Sequence, residues 1–350
     1  MQHLQKTGGG GDRERFFRPP IFRTLFQVPY PVSLLFATLT KTPGMCTNNS
    51  HPGTLRAVSL TLSPIPNPPS PRCCYTVPPM ARQRLGQHFL TDLHWREEIA
   101  RAIRVSPHST VPLPRNDQHC WIEIGSGHGE MTQQLLAAGA SVHAIEIDPA
   151  FIAGLRHLAK QFPHLNVVPG DILKADIAAI ASGHRIRIYG NLPYYITSPI
   201  LHHLFTFADF IDEIHIVIQT EVALRLAAQP GTRDYGYLSV VTQFYTRPEF
   251  VFEIPRDAFE PPPEVASALV TLRLPGERAK LSLSEASHFL DFVKLCFSQK
   301  RKTLVNNLRS LAKPDRVREA LATLKLRPDA RAEQLPVAQL AALQAQLAGL

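Results

Sequence analysis

The sequence predicts an α/β protein: a mostly parallel sheet covered by helices on both faces, followed by a small all-helical C-terminal domain. Short apolar runs alternate with helical runs from about residue 119, and this alternation predicts the parallel sheet. After about residue 280 every periodic run is helical, which predicts the second domain. The 350 residues, 44% of them hydrophobic, suit about two domains with packed cores.

Five apolar runs are the predicted strands of the parallel sheet. In chain order they are residues 120–124, 141–147, 165–171, 185–190 and 213–219. Helices are predicted between the first three, over residues 130–139 and 148–162. The second helix has Asp148 as an N-cap and a proline in its first turn. Two later runs, 251–254 and 266–274, predict an antiparallel pair.

Three parts of the chain differ in pattern. Residues 80–279 hold the predicted sheet, and residues 280–350 hold four helical runs: 284–298, 301–312, 314–326 and 336–349. Residues 1–79 contain 13 of the 31 prolines and no useful periodicity, which predicts a disordered extension. Its role stays open between an upstream start-site artefact, with Met80 as the natural start, and a targeting segment of the transit or signal type.

Charge and cysteine content limit the function classes. The formal charge is +8, but residues 1–79 contribute six of those charges, so any contact with nucleic acid must depend on local basic clusters. The five cysteines form no C-x-x-C pair, which predicts no zinc site and no disulfide framework. No apolar run approaches the ~18 residues of a membrane span. We therefore expect a cytoplasmic protein without a metal or a membrane anchor.

Residues at three successive strand ends predict a cofactor site. Glycines 125, 127 and 129 follow the first strand and open a helix, so backbone amides can approach a ligand. Glu146 ends the second strand, where an acid typically holds ribose hydroxyls, and Asp171 ends the third. The glycine spacing departs from the dinucleotide pattern, and no phosphate-binding lysine follows. A site for ribose and adenine without a pyrophosphate clamp indicates S-adenosylmethionine rather than NAD.

Several motifs in order resemble one family. They are "GQHFL" (86–90), "EIGSGHGEMT" (123–132), "GDIL" (170–173), "NLPYYITSPIL" (191–201) and "FEPPPEVASALV" (259–270). Together they resemble the ribosomal small-subunit RNA adenine N6-dimethyltransferases (the KsgA/RsmA type). The resemblance implies a Rossmann-like, S-adenosylmethionine-dependent methyltransferase sheet with a helical, RNA-contacting C-terminal domain. It also implies transfer of two methyl groups to each of two adjacent adenosines in a hairpin loop near the 3′ end of 16S rRNA.

Two other functions stay open. One is a 23S rRNA adenine N6-methyltransferase of the antibiotic-resistance type, and the other is an idle assembly or transcription factor that keeps the fold. By resemblance, the cofactor contacts fall on His88, Leu90, Gly125, Gly127, Glu146, Asp171 and Asn191. The sequence departs from the family pattern at His88, Ser126 and Thr220, where Asn, Pro and Lys are common.

The segment 191–195 carries the predicted chemistry. We expect Asn191 Oδ1 and the Leu192 carbonyl to accept the N6 hydrogens of the target adenine, with Pro193 fixing that carbonyl toward the pocket. Tyr194 is expected to stack on the extruded base. Tyr195 is expected to pack inward, because neighbouring side chains on an extended segment point in opposite directions.

The substrate side of the site is predicted from aromatic and basic residues. Phe259 either covers the other face of the adenine or packs in the core. Arg301 and Lys302 belong to a basic cluster that suits RNA phosphates, together with Arg82, Arg84, Lys300, Arg309, Lys313, Arg316 and Arg318. The expected partner is small-subunit rRNA within a pre-30S particle, bound by a monomer.

Overall fold

A computed structural model describes residues 87–104, 120–281 and 286–348. The predicted extension 1–79, with Arg82 and Arg84, lies outside these residues. The strands are β1 Phe89–Leu90, β2 Cys120–Ile124, β3 Ser141–Glu146, β4 Leu165–Pro169, β5 Ile186–Asn191, β6 Ile211–Gln219, β7 Arg247–Ile254, β8 Phe259–Glu260 and β9 Ser267–Arg273. The helices are α1 Leu93–Ala102, α2 Glu130–Ala137, α3 Pro149–Ala159, α4 Ile177–Ala181, α5 Thr197–Phe205, α6 Thr220–Ala227, α7 Tyr237–Tyr245, α8 Ala286–Cys296, α9 Leu304–Asn307, α10 Pro314–Thr323 and α11 Val337–Ala348.

The seven-stranded sheet has the order β4-β3-β2-β5-β6-β9-β7. Strands β4, β3, β2, β5 and β6 are parallel to one another. Strand β9 pairs antiparallel with both β6 and β7, and its pairing with β7 is the antiparallel pair that the two later apolar runs predict. In the ladder Ile124 pairs with both Ile145 and Gly190. The carboxyl ends of these strands are therefore level, and the loops that follow them meet at one edge, where open α/β sheets bind ligands.

One hydrophobic cluster joins the sheet to the C-terminal helices. Ile188 of β5, Phe244 of α7, Phe289 of α8 and Leu321 of α10 are all buried in it. A second cluster, with Trp121 of β2, covers the opposite face. The sheet is therefore packed on both sides, and the helical region shares its core with the sheet.

Local sequence explains where the helices begin. Asp148 caps α3, because its Oδ1 accepts a hydrogen bond from Ala150 N at 2.9 Å, and Pro149 occupies the first position.

The predicted helix over 301–312 is wrong in extent, since α9 covers only Leu304–Asn307. Thr303 is extended before it, and the Asn307 side chain bonds to Cys296 O at 2.6 Å instead of facing solvent. Those contacts tie the short helix to the end of α8.

The small sheet of β1 and β8 is absent from the sequence predictions. Leu90 pairs with Phe259, and Phe89 pairs with Glu260 in an antiparallel ladder. Strands of two residues carry no periodicity, so the pattern could not reveal them. This pairing matters for function because it brings the segment around His88 beside the loop after Phe259, at the carboxyl edge of the main sheet.

Candidate active site

Two adjoining cavities lie at the carboxyl edge of the sheet. The larger is lined by residues at or after the ends of four strands: Ile124, Gly125, Ile145, Glu146, Ile147, Gly170, Asp171, Ile172, Leu173, Pro193, Tyr195 and Ile196, with Gln87 and Ile200. The smaller is lined by Gln87, His88, Phe89, Gly125, Gly127, Glu146, Asn191, Leu192, Pro193 and Tyr194. Gly125, Glu146 and Pro193 border both, so molecules in the two cavities would be neighbours.

The glycine loop after β2 forms the floor between them. Gly125 has φ +68°, a left-handed conformation that strains other residues, and its amide donates to Ile145 O at 2.9 Å. No atom lies within 4 Å of the position that a Cβ would occupy on Gly125. At Gly127 a Cβ would instead lie 3.2 Å from the Phe89 ring. Gly125 thus keeps the floor open, while Gly127 allows close packing beneath β1.

Glu146 is held in place by backbone amides. Its side chain is 2% exposed, and Oε2 accepts from Gly127 N at 2.9 Å. Oε1 accepts from Ile147 N and Asp148 N, each at 2.9 Å. A carboxylate has about four lone-pair positions, so it can still accept hydroxyl donors. The residue fits the predicted role of a ribose ligand, since its oxygens are fixed by backbone amides and lie at the cavity wall.

Asp171 presents a second acidic group to the larger cavity. Its Oδ1 accepts from Leu173 N at 3.0 Å, which caps the short turn after β4. Within the described ranges no group donates to Oδ2. Asp171 lines the larger cavity together with the apolar residues Ile147 and Ile172, so this oxygen is available to accept from the exocyclic amine of an adenine bound there.

Two acceptors at the end of β5 have no donor among the described residues. Asn191 Nδ2 donates to His88 O at 2.8 Å, which fixes the amide and leaves Oδ1 free. Leu192 N donates to Val217 O at 3.0 Å, and its side chain is 1% exposed, but its own carbonyl receives no hydrogen bond. The carbonyl of Pro193, by contrast, accepts from Ile196 N at 3.2 Å. The structure therefore brings together the two predicted acceptors beside the smaller cavity.

Tyr194 is anchored at its hydroxyl and covered on one side. Its hydroxyl lies 2.6 Å from Ser267 Oγ, and its ring stacks on His88 with 5.6 Å between centroids and 23° between planes. Burial raises the pKa of the Tyr194 phenol, against the opposing effect of the Ser267 hydrogen bond. His88 Nδ1 in turn donates to Pro261 O at 2.7 Å. The His88 ring thus stacks on Tyr194 and hydrogen-bonds to Pro261, and it also borders the smaller cavity.

The prediction for Tyr195 is wrong. Its side chain is 62% exposed, not packed inward. Residues 194–196 form a 3₁₀ turn, so neighbouring side chains do not alternate as they do along a strand. Leu90, predicted to contact the cofactor, and Phe259, predicted either to cover the adenine or to pack in the core, are 7% and 3% exposed in the second core cluster and line neither of these two cavities.

Glu123 is a buried acid at this site that the sequence predictions missed. It lies on β2 before the glycine loop, is 2% exposed, and accepts a hydrogen bond from the Thr132 hydroxyl. Burial raises the pKa of Glu123 to about 8, even though the Thr132 bond favours the charged form. Burial thus favours the neutral form of this carboxyl group, and the nearby carboxyls of Glu130 and Glu146 favour it as well.

The basic cluster lies apart from the cavities. Arg301 and Lys302 are exposed in the turn between α8 and α9 and line neither cavity. Lys300 donates to Arg233 O at 3.2 Å.

Across residues 87–104, 120–281 and 286–348, no group of three or more His, Cys, Asp or Glu is arranged to hold a metal ion. No helix in those ranges is both long and apolar enough to span a membrane.

Comparisons with known proteins identify the relatives of this chain. The family model of ribosomal RNA adenine dimethylases matches residues 80–348. A protein of Xanthomonas euvesicatoria named ribosomal RNA small subunit methyltransferase A is 40% identical over 258 residues, which cover 74% of this chain and 93% of that protein. A relative from Xanthomonas campestris with the same name is also 40% identical.

Solved structures share the fold. A dimethyladenosine transferase from Plasmodium falciparum superposes with a TM-score of 0.59 at 22% identity, over 75% of this chain and 98% of that one. The 23S rRNA methyltransferase ErmE superposes with a TM-score of 0.55 at 28% identity, over 74% and 99%. The α/β sheet with its helical C-terminal region is therefore that of a methyltransferase, and the chain belongs to the ribosomal RNA adenine dimethylase family.

Proposed function

We propose that this protein transfers methyl groups from S-adenosylmethionine to N6 of two adjacent adenosines in a hairpin loop near the 3′ end of small-subunit rRNA. The observation that carries the proposal is the pair of free acceptors, Asn191 Oδ1 and Leu192 O, beside a cavity suited to the cofactor. The 40% identity to proteins named as small-subunit methyltransferases supports this substrate over a large-subunit one.

The larger cavity fits the cofactor. Three backbone amides donate to the Glu146 carboxylate, whose oxygens can still accept hydrogen bonds from the two hydroxyls of a ribose. Asp171 Oδ2 can accept from the adenine amine. Gly125 leaves the floor of this cavity open, because no atom lies within 4 Å of the position that a Cβ would occupy there. When bound there, S-adenosylmethionine supplies an electrophilic methyl group on a sulfonium.

The two acceptors prepare the adenine nitrogen for attack. The N6 lone pair is delocalised into the ring, so N6 is a poor nucleophile until hydrogen bonds to its two hydrogens favour a more pyramidal nitrogen. Asn191 Oδ1 and Leu192 O would each accept one N6 hydrogen and stabilise positive charge on the nitrogen as the bond forms. Both acceptors are fixed before the substrate arrives, because Asn191 bonds to His88 O and Pro193 has φ −59° and ψ 129°.

Tyr194 would hold the target base by stacking. His88 covers one face of its ring, so the base would stack on the other face after leaving the RNA helix. The Ser267 contact keeps the ring from turning away. As N6 takes the methyl group, the carbon–sulfur bond would break, the neutral thioether would leave, and the nitrogen would release one proton to water. The amine then keeps one hydrogen, so the second transfer would proceed with one acceptor hydrogen bond and a bulkier nitrogen.

Contact with the RNA backbone is assigned to the basic cluster around Arg301 and Lys302. Both side chains are exposed, so their charges are accessible to phosphates. We infer a monomer that acts in the cytoplasm on small-subunit particles under assembly. Sedimentation of the purified chain with and without such particles would check the monomer and the partner together.

Substrate choice is the experiment that tests the proposal. Small-subunit and large-subunit particles from cells lacking adenine dimethylation would each be incubated with the protein and radiolabelled S-adenosylmethionine. We expect label in small-subunit rRNA at about two methyl groups per modified adenosine. Label confined to large-subunit RNA would establish the antibiotic-resistance activity instead, and no label on either would leave an idle factor.

A further inference from the structure

Tyr195 exposes an aromatic ring at the wall of the larger cavity. Six large hydrophobic side chains are exposed among the described residues, and two of them, Ile147 and Tyr195, line this cavity. Tyr195 is the one aromatic residue of the six, at 62% exposure. Aromatic surface left in water is unfavourable, and a flat ligand that covers it recovers free energy. The two exposed side chains therefore mark surface that a ligand in this cavity would bury.

The positions of these residues define a slot. Ile147 follows β3, Tyr195 follows β5, and β2 lies between those strands and ends at Gly125. Neighbouring strands lie about 4.8 Å apart, so the two walls begin roughly 10 Å apart. A flat ring packed between two side chains needs about 7–8 Å from wall to wall. The absence of a side chain on Gly125 keeps the floor of this slot open.

We propose that Tyr195 belongs to the cofactor site and packs over the adenine of S-adenosylmethionine, opposite Ile147, with Asp171 at the edge of the ring. This inference rests on the proposed function, which puts the cofactor in the larger cavity. Tyr194, the preceding residue, borders only the smaller cavity. A single 3₁₀ turn thus presents two adjacent rings to two ligands: Tyr195 to the cofactor and Tyr194 to the target base.

The first test measures cofactor affinity. Tyr195→Ala should weaken the binding of S-adenosylhomocysteine about tenfold or more by calorimetry, because a base–aromatic stack is lost. Tyr195→Phe should bind within about twofold of the wild type, since the ring remains. Leu224→Ala is the matched control, because Leu224 is 48% exposed on α6 and lines neither cavity. Its affinity should be unchanged.

The second test uses the unmodified protein. Hydroxyl-radical labelling read by mass spectrometry should show oxidation of Tyr195 that falls when S-adenosylhomocysteine saturates the protein, while oxidation of Leu224 stays constant. Undiminished labelling of Tyr195 would overturn the inference even if Tyr195→Ala failed to fold. An unchanged cofactor affinity in Tyr195→Ala with a raised KM for rRNA would assign the ring to RNA and also overturn it. A wild-type protein that binds no S-adenosylhomocysteine would instead refute the proposed function.

Discussion

Replacing Asn191 by alanine removes one of the two acceptors at the reacting nitrogen. Oδ1 has no other partner in the described part of the chain, so its loss affects the substrate directly. Removing one preorganised polar group of this kind costs roughly 10²–10³ in kcat, or about 3–4 kcal/mol. Leu192 O belongs to the main chain and stays, so we expect residual activity. The proposed cofactor ligands Glu146 and Asp171 are unchanged, so affinity for S-adenosylhomocysteine should stay within about threefold.

Single-turnover methyl transfer to saturating small-subunit particles measures the chemical step in this variant, and calorimetry measures cofactor binding. Asn191→Asp is a useful second variant, because it keeps an acceptor but loses the donor to His88 O at 2.8 Å. Losing this bond leaves the His88 carbonyl unsatisfied, at a cost of about 1–3 kcal/mol, and frees the side chain at position 191 from its anchor. The transfer rate of Asn191→Asp should therefore also fall. Asn166→Ala is the control, since Asn166 is exposed on β4. Turnover near the wild-type rate in Asn191→Ala would refute the proposed role.

Three further predictions address other parts of the site. Tyr194→Phe loses only the hydroxyl contact with Ser267 and should be mild, whereas Tyr194→Ala should raise KM for rRNA about 5–150-fold; equal losses would exclude stacking. The folded-state pKa of Glu123, about 8, exceeds its ordinary value of 4.5, so the free energy of unfolding of the wild type should fall as pH rises between these values. Urea unfolding across this pH range should show a smaller fall for Glu123→Gln. Equal slopes would contradict that burial effect. The double change Arg301→Gln with Lys302→Gln should reduce the slope of log K for rRNA binding against log salt concentration by roughly two. An unchanged slope would show that neither residue contacts the RNA.

The sequence was sufficient for the main sheet because its strands are apolar, regularly spaced and separated by helices. The acceptor roles of Asn191 and Leu192 were a hypothesis made alongside the family resemblance, and they stay a prediction. The sequence did not reveal β1 and β8, since two-residue strands have no period, and so the contacts of His88 with Tyr194 and Pro261 were missed.

Tyr195 shows where local rules fail. The prediction assumed an extended segment, but residues 194–196 turn as a 3₁₀ helix and direct the ring into the larger cavity. The burial of Glu123 was equally hidden, because a glutamate within an apolar strand carries no sign of its partner Thr132. Both features depend on tertiary packing around the carboxyl edge of the sheet, which periodicity does not describe.

The central claim is most directly tested by mapping N6,N6-dimethyladenosine in the rRNA of cells that lack the gene. We expect two adjacent adenosines near the 3′ end of small-subunit rRNA to be unmodified in those cells. The wild-type gene should restore both, whereas the Asn191→Ala gene should not. Two adenosines that remain dimethylated without the gene would contradict the account.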